Sequence, residues 1–419
     1  QMERLASLAN QLSNNSTSTC PLSKSDNDVV ICSALRTPLT KANRGGLKDT
    51  SPETLVAHVI QAVINQSKLN PKDIQDICIG NVSQPGAGLY TSRIGQFLAG
   101  LPETVPIHSV NRLCSSGLEA VAQIASKIRA GIIDLGIAGG VEQMTMYDMN
   151  SSAPQPDLIA EEVFENEKAR NCLMGMGQTS ENVAEKYGIS REAQDKFAVE
   201  SQRRAAEAQE KGYFTAEIAP IKTSIKKKKG EEEYREPILV DKDDGIRKET
   251  TLASLQKLKP SFKKDGSSTA GNSSQLTDGA AAVILARRST AQKLGLPIIA
   301  KWITHAVVGV PPEIMGVGPA FAIPRALSQA GLKVDDIDIF ELNEAFASQA
   351  LYCIDYLKLN PKKVNPKGGA IALGHPLGCT GARQTATLLS ELKRTGGKYG
   401  VVSMCVGTGM GAAAVFQLE

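Results

Sequence analysis

Two distant stretches of this 419-residue chain carry the same features in the same order. Each begins with a polar, Asp-containing turn and an apolar strand, continues through a Val-Asn pair towards a Gly-rich loop and an amphipathic helix, and ends on Gly-Ala-Ala-Ala-Val. The matched segments are 69–82 with 332–345, 110–111 with 364–365, and 279–283 with 411–415. Such internal similarity predicts that one unit is used twice, so the chain is expected to fold as a duplicated structure.

The two copies differ by one long insertion. In the second copy, strand 401–405 leads almost at once to its Gly-Ala-Ala-Ala-Val, whereas residues 142–278 separate the equivalent strand 132–138 from the first one. Because strands alternate with helices in each half, we expect an α/β fold in which mixed sheets are covered by helices on both faces. The predicted parts are an N-terminal targeting helix and linker (1–27), an N-terminal half (28–141 and 279–290), an inserted loop domain (142–278) and a C-terminal half (291–419).

Composition excludes several function classes. Lys and Arg exceed Asp and Glu by 47 − 44 = 3, which does not predict a nucleic-acid binder. No apolar run reaches the ~18 residues that span a bilayer and no secretory leader is present, so we expect a soluble intracellular protein. The eight cysteines form no Cys-x-x-Cys pair, and no His is placed to complete a zinc pattern with them, which predicts free thiols in a reducing compartment and no metal site.

Cys114 directly precedes a predicted helix whose apolar positions include Leu118, Val121 and Ile128. The positive end of the helix dipole and its unpaired N–H groups are expected to lower the pKa of a thiol there. This favours a nucleophile. Taken alone, the segment fits a small buried core cysteine equally well.

His375 occupies the corresponding loop of the second copy, among glycines and directly before Pro376. If the halves pack about a pseudo-two-fold axis, His375 approaches Cys114 and forms the Cys-His pair that covalent catalysis requires. His58 and His305 are expected to be structural.

Two further residues follow apolar strands. Cys405 ends one strand and opens a turn with alternating glycines, whose N–H groups are suited to an oxyanion hole; the alternative is a core cysteine. Asn343 follows another strand, at the sheet edge where α/β sites collect, although a cap of the next helix would also explain it.

Together these blocks resemble the thiolase family: NRLCSSG with Cys114, NEAF with Asn343, GGAIALGHPLGCTGAR with His375 and CVGTGMG with Cys405. They occur in the family's order within 28–419. The resemblance implies a duplicated five-layer α-β-α-β-α fold, a loop domain that covers coenzyme A, and a homodimer or dimer of dimers.

The resemblance also implies residue roles. Cys114 is the acylated nucleophile, His375 activates it, Asn343 positions a water in the first oxyanion hole, and Cys405 is the acid and base for the second substrate. The N–H groups of Cys114 and Gly407 form the second oxyanion hole.

Coenzyme A and a 3-ketoacyl-CoA are the implied substrates, and no metal or redox cofactor is expected. Ser274 matches the family serine that contacts the pantetheine arm, and Met176 matches a position that lines the acyl pocket. The run Lys226 to Lys229, read alone, indicates a solvated hairpin or loop. Within a thiolase loop domain, Lys227 and Lys228 become candidates for the 3′-phosphate of coenzyme A.

The N-terminus resembles a peroxisomal import signal of the form R-L-x5-H/Q-L, formed by Arg4, Leu5, Gln11 and Leu12. It predicts an import receptor as a partner and the peroxisomal matrix as the location, although so short a pattern also occurs by chance. Peroxisomal placement favours the degradative 3-ketoacyl-CoA activity of β-oxidation.

Three other functions compete with this interpretation. A biosynthetic acetoacetyl-CoA thiolase would use the same residues. A β-ketoacyl synthase shares the duplicated fold but typically uses one Cys with two His, whereas here the corresponding residues are Asn343 and a second Cys. A carrier or RNA-binding protein would not require two thiols, the His and the glycine turn together.

Overall fold

The computed structural model describes residues 22–149, 151, 154–229 and 232–419. Its strands are β1 Val29–Arg36, β2 Thr40–Lys41, β3 Asp76–Gly80, β4 Ile107–Val110, β5 Leu135–Gln143, β6 Ile221–Lys229, β7 Glu232–Val240, β8 Thr277–Arg287, β9 Ala300–Gly309, β10 Ile339–Leu342, β11 Tyr399–Val406 and β12 Met410–Leu418. Its α-helices are α1 Pro52–Ser67, α2 Leu89–Leu98, α3 Ser116–Arg129, α4 Glu162–Glu165, α5 Glu167–Asn171, α6 Met176–Tyr187, α7 Arg191–Glu210, α8 Leu252–Gln256, α9 Arg288–Lys293, α10 Gly318–Ala330, α11 Ala347–Tyr356, α12 Ala370–Leu373 and α13 Thr380–Thr395. Short 3-10 turns cover Pro71–Asp73, Pro85–Gly88, Pro156–Leu158, Pro312–Val317 and Val334–Asp336.

The sheets confirm the duplication. The first half has the strand order β4-β3-β5-β8-β1, and the second has β10-β11-β12-β9, with a parallel bridge from Phe340 to Val364 in the place that β4 occupies beside β3. Parallel and antiparallel pairings also correspond, since β3/β5 and β10/β11 are parallel while β5/β8 and β11/β12 are antiparallel. A two-residue antiparallel pairing of β1 with β9 joins the halves.

Five layers result from the way the helices cover these sheets. Helices α3 and α13 pack on each other and on strands of both halves, so they form the middle layer. Helix α1 covers the outer face of the first sheet and α10 covers the outer face of the second. Both middle helices begin directly after a loop with a candidate catalytic residue, so the layering brings Cys114 and His375 to the same end of the molecule.

Apolar side chains explain why these layers assemble. The predicted face of α3 is fully buried at Leu118, Val121, Ile124 and Ile128, and it contributes to a core that also contains Leu388 of α13. Two further cores lie under the outer helices. Burial of this kind contributes about 25 cal/mol per Å² of apolar surface, which makes it the main force that holds the layers together.

The strand predicted at 132–138 differs from the observed strand β5 at both ends. Strand β5 continues through Glu142 and Gln143, which pair with Gly279 and Asp278. The predicted strand at 132–138 was therefore placed too early, because Ile132 is an exposed turn residue and the strand begins at Leu135. Isoleucine favours strands locally, but the partner strand decides which residues pair.

The segment 142–278 contains the helices α6 and α7. Ser190 caps α7, because its side chain accepts a hydrogen bond from the N–H of Ala193. The charge run forms the hairpin of β6 and β7, as the solvated interpretation predicted. Helices α6 and α7 pack on α11 in the C-terminal half, which brings the insertion over the loops described below.

The described part of the chain contains no helix that is both long and apolar enough to cross a membrane. All seven described cysteines are free thiols; Cys20 lies outside the described residues.

Candidate active site

Cys114 lies in a tightly held loop at the start of α3. Leu113 adopts a left-handed backbone with φ 46°, and its N–H donates to the side chain of Asn111 at 2.8 Å. The hydroxyl of Ser116 donates to the carbonyl of Leu113 and accepts the N–H of Arg112. These bonds hold the thiol of Cys114 in a buried apolar cluster that also contains Val82 and Leu377.

The resting state of this thiol differs from the prediction. Burial raises the pKa of Cys114 to about 11, against hydrogen bonds from the backbone N–H groups of Gly407 and of Cys114 itself that lower it, while the charge of Glu142 raises it further. The helix terminus therefore does not produce a lowered pKa, because desolvation of the thiolate outweighs it. Cys114 is a protonated thiol at neutral pH and needs a base.

His375 has the properties of that base. Burial and the cation of Arg383 lower the pKa of its imidazole to about 3, so the ring is neutral. Its Nδ1 lies 2.6 Å from the hydroxyl of Thr380, which donates its own proton to the carbonyl of Pro376 at 3.1 Å. Because that hydroxyl can only accept from the ring, Nδ1 carries the proton and Nε2 keeps its lone pair.

Asn343 faces that lone pair. Its Nδ2 lies 3.3 Å from Nε2 of His375, and its Oδ1 is buried without a hydrogen-bond partner in the described structure. Phe346, not Asn343, is the N-cap residue of α11, so the capping alternative is wrong. The free oxygen is suited to hold a water or a substrate group beside the imidazole.

Cys405 is fully buried at the end of β11, close enough for its charge to interact with that of Cys114. Burial, together with the charges of Cys114 and Cys353, raises the pKa of Cys405 well above its ordinary value. Two protonated thiols thus lie close enough to affect each other, and a proton that leaves one of them needs an acceptor.

The glycine turn follows Cys405 directly. Thr408 and Gly409 have φ of 64° and 93°, which folds the chain into the hairpin between β11 and β12 and turns the N–H of Gly407 towards Cys114. Met176, the first residue of α6, packs beside Gly407 and Cys405. The predicted oxyanion-hole donors and the predicted pocket residue therefore lie together.

Ser274 lies beside the same loops. Its N–H donates to the carbonyl of Ala345, two residues after Asn343. The next residue, Gln275, accepts the N–H of His375 at 3.0 Å. The predicted pantetheine segment is thus attached to both the Asn343 and the His375 motifs.

Lys227 and Lys228 lie on the exposed hairpin, away from this buried cluster. They pair with Glu236 at 3.2 Å and Glu233 at 3.1 Å. The hairpin is anchored to the body because the backbone N–H of Lys226 donates to Asp49 at 2.8 Å.

The two halves meet through glycines. A Cβ at Gly117 of α3 would lie 2.7 Å from the carbonyl oxygen of Gly378, and a Cβ at Gly140 of β5 would lie 2.1 Å from the same atom. Only glycine at these two positions allows the loop that follows His375 to approach the first turn of α3, beside Cys114, this closely.

Sequence reasoning missed three residues of the site. Thr380 and Gln275 hold His375; their only signals were that Thr380 lies inside the GGAIALGHPLGCTGAR block and that Gln275 directly follows Ser274. Glu142 is fully buried beside Cys114, and its carboxylate accepts four hydrogen bonds from the loops around the thiol. It could have been found by aligning the two copies backwards from their Gly-Ala-Ala-Ala-Val segments.

Comparison with known families agrees with this geometry. The family model "Thiolase, N-terminal domain" matches residues 29–289, and "Thiolase, C-terminal domain" matches residues 296–418. The chain belongs to the thiolase family.

Curated thiolases similar to this chain include "3-ketoacyl-CoA thiolase, peroxisomal" of Homo sapiens, which is 60% identical over 93% of this chain and 91% of that protein. A protein of the same name from Yarrowia lipolytica is 52% identical over the full length of both chains. Among solved structures, the dimeric peroxisomal thiolase of Saccharomyces cerevisiae superposes with a TM-score of 0.87 at 47% identity, covering 95% of this chain and 99% of that one.

A second solved thiolase from Saccharomyces cerevisiae, with a TM-score of 0.77 and 43% identity over 95% of this chain and all of that one, is described as a five-layered structure built from two core domains of identical topology. The layers and the repeated strand order of the present chain agree with that description of the yeast protein. The predicted import signal, Arg4, Leu5, Gln11 and Leu12, lies outside the described residues.

Proposed function

We propose that this chain cleaves a 3-ketoacyl-CoA with coenzyme A, yielding acetyl-CoA and an acyl-CoA two carbons shorter, as a peroxisomal thiolase of β-oxidation. The observation that carries the proposal is the buried arrangement in which a neutral His375 has Asn343 at its Nε2, the thiols of Cys114 and Cys405 interact, and the loop that follows His375 packs on Cys114 through Leu377. Curated relatives that carry the peroxisomal 3-ketoacyl-CoA thiolase name are 52–60% identical over most of the chain.

The first half-reaction makes an acyl-enzyme. Nε2 of His375 takes the proton of Cys114, and the thiolate attacks the 3-keto carbon. The C2–C3 bond then breaks, leaving the shortened acyl group on sulfur and its electron pair on the enolate of acetyl-CoA. Cys405 donates its proton to C2, and acetyl-CoA leaves.

The second half-reaction restores the enzyme. The Cys405 thiolate takes the proton of an incoming coenzyme A thiol, and the resulting coenzyme A thiolate attacks the acyl group on Cys114. Cys114 leaves as a thiolate and recovers its proton from His375. The kinetics are expected to be ping-pong.

Two sets of hydrogen-bond donors would stabilise the negative charge that develops on substrate oxygens during the reaction. The N–H groups of Cys114 and Gly407 both point at the Cys114 sulfur, so an oxygen on the attacked carbon would lie within their reach. A water held by Asn343, together with His375, would serve the thioester oxygen of the enolate. Preorganised donors of this kind are each typically worth about 10²–10³-fold in rate.

We further propose that the chemistry uses no metal or redox cofactor, since a side chain is assigned to every proton and carbon transfer above. Ser274 is assigned to the pantetheine arm, Met176 to the acyl pocket, and Lys227 and Lys228 to the 3′-phosphate of coenzyme A. The division into two thiolase halves and an inserted coenzyme A-binding domain belongs to the same proposal.

The outer edge of the first sheet is a suitable contact surface for a homodimer. Strand β4 has no further strand beside it in the described structure, and the neighbouring helix α2 exposes Tyr90, Ile94 and Leu98. A 47% identical relative is described as dimeric. An import receptor is proposed as the partner of the N-terminal segment.

The biosynthetic alternative, condensation of two acetyl-CoA molecules, is supported less well. A solved acetyl-CoA acetyltransferase of Bacillus anthracis is 36% identical, against 60% for the human peroxisomal 3-ketoacyl-CoA thiolase.

The test is coenzyme A-dependent thiolysis of 3-ketoacyl-CoA substrates from four to sixteen carbons, run beside Cys114→Ala. Activity on medium and long chains that is lost in the variant is the expected result. Activity confined to the four-carbon substrate would favour the acetoacetyl-CoA alternative, and full activity of Cys114→Ala would refute the acyl-enzyme.

A further inference from the structure

The duplication gives Glu142 an unusual relationship to the catalytic thiols. Glu142 pairs with Gly279, and Cys405 pairs with Gly411. Those glycines open the two copies of Gly-Ala-Ala-Ala-Val. Glu142 therefore occupies, in the first half, the strand position that Cys405 occupies in the second.

The carboxylate of Glu142 joins both halves around Cys114. Its Oε1 accepts from the side chain of Asn81 at 3.2 Å and the N–H of Ser83 at 3.0 Å. Its Oε2 accepts from the N–H of Val82 at 3.1 Å and the N–H of Gly378 at 2.7 Å. The first three donors belong to the loop after β3, and the fourth lies three residues after His375.

This arrangement favours an ionised carboxylate. Burial, the largest effect, raises the pKa of Glu142 above its ordinary value, and hydrogen bonds from the N–H groups of Gly378, Ser83 and Val82 and from the side chain of Ser83 oppose that shift. Two donors approach each oxygen, and each is better satisfied by a carboxylate than by a carboxyl group. The ion is thus held by donors rather than by a cationic partner.

Glu142 binds the segments whose side chains pack around the nucleophile. Val82 and Leu377 both pack with Cys114, and Glu142 binds the N–H of Val82 and that of Gly378, the residue after Leu377. We propose that Glu142 is a positioning residue for the reaction: its carboxylate fixes the His375 loop against the loop after β3 and so sets the alignment of His375 with Cys114.

This role rests on the proposed function and adds one consequence to it. The negative charge of Glu142 acts on Cys114 and favours its thiol form. Glu142 therefore aligns the base while it restrains formation of the thiolate before substrate binds. A residue that only stabilised the fold would not combine these two effects.

The variant Glu142→Gln tests the alignment of His375 and the effect of charge on Cys114 by two separate measurements. Whichever way the amide is oriented, its NH2 faces two donors, so the loops are expected to shift. Displacement by a fraction of an ångström to one ångström lowers kcat by about 100-fold, and KM for coenzyme A stays near its wild-type value. Alkylation of Cys114 by iodoacetamide at neutral pH becomes about threefold faster, because the neighbouring charge is gone.

Glu142→Asp is the matched variant, because it keeps the charge but shortens the reach by one methylene. We expect about a tenfold loss of kcat with an alkylation rate close to wild type. Glu181→Gln serves as the control for alkylation, since Glu181 also accepts backbone N–H groups, from Ser267 and Ser268, but does not act on the Cys114 charge.

The outcomes are distinct. Wild-type kcat in either Glu142 variant overturns the positioning role, and equal acceleration of alkylation in both variants overturns the effect of charge. If Glu142→Gln does not fold, the kcat of Glu142→Asp tests the positioning role, and a wild-type value overturns it. Because iodoacetamide requires no acyl substrate, failure of the wild-type protein to cleave 3-ketoacyl-CoA would refute the proposed function without altering the alkylation result.

Discussion

The amide nitrogen of Asn343 lies 3.3 Å from Nε2 of His375, on the side of the ring opposite the hydroxyl of Thr380. Since Thr380 accepts the Nδ1 proton, Asn343 must donate to the Nε2 lone pair, and the ring is held in one tautomer from both sides. A substrate that displaces this weak hydrogen bond finds a neutral base already oriented. The hydrogen bonds of His375 thus explain how a thiol with a raised pKa can be activated.

Thr380→Val tests this tautomer lock. The change keeps the shape of the side chain but removes the acceptor of the Nδ1 proton, so we expect kcat to fall by about tenfold or more. Thr385→Val is the control, because its buried hydroxyl bonds only the carbonyl of Gly381 on the same helix. Equal losses in steady-state thiolysis for both variants would contradict a specific role for Thr380.

Asn343→Asp is expected to be more damaging than Asn343→Ala. A carboxylate 3.3 Å from Nε2 would raise the pKa of His375 and favour the imidazolium, which cannot accept the proton of Cys114. We expect kcat to fall by more than about 100-fold in the Asp variant and less in the Ala variant. The pH dependence of Cys114 alkylation measures this directly, and an unchanged profile in Asn343→Asp would count against the assignment.

The buried His375 also makes stability depend on pH. The pKa of His375 is lowered from 6.5 to about 3 in the folded protein, so below pH 6.5 the unfolded chain binds a proton that the folded one does not. Stability is therefore lost as pH falls from about 6.5 towards 3, by up to about 1.4 kcal/mol per pH unit.

His375→Gln should remove this part of the acid sensitivity. Between pH 7.5 and pH 5, the wild-type protein should lose about 2 kcal/mol more free energy of unfolding than the variant. Denaturant unfolding at equal protein concentration measures the difference. Parallel pH dependence in the two proteins would show that His375 is not buried as a neutral ring.

Lys227→Ala and Lys228→Ala test the proposed phosphate contact. Loss of one exposed cation is expected to raise KM for coenzyme A by about threefold, with no change in KM for dephospho-coenzyme A, which lacks the 3′-phosphate. Lys196→Ala is the control, because Lys196 is also exposed and paired with a glutamate. Equal effects on both forms of coenzyme A would assign the 3′-phosphate to other residues.

The sequence predicted the duplication and the four motif blocks because each rests on local pattern or on internal comparison. It did not predict the pKa of Cys114, since the helix terminus is a local feature whereas desolvation depends on what the second half brings over the thiol. It also missed Glu142, because the comparison of the two copies was not extended back from Gly-Ala-Ala-Ala-Val to the strand positions that Glu142 and Cys405 share, and its four donors are brought to it by the fold. The start of β5 was predicted too early, at Ile132, because the end of a strand depends on its partner strand; Ile132 is exposed and the strand begins at Leu135.

Gly140→Ala tests whether the site depends on the close approach of the two halves. The added methyl would lie 2.1 Å from the carbonyl oxygen of Gly378, and the backbone of both residues is buried. We expect a loss of more than about 2 kcal/mol in stability and a fall in kcat, because the His375 loop is displaced from Cys114. Gly175→Ala is the control, since its added methyl meets nothing within 4 Å and its φ of −61° suits alanine. A Gly140→Ala protein with the melting temperature and turnover of Gly175→Ala would show that the halves are not held together at this contact.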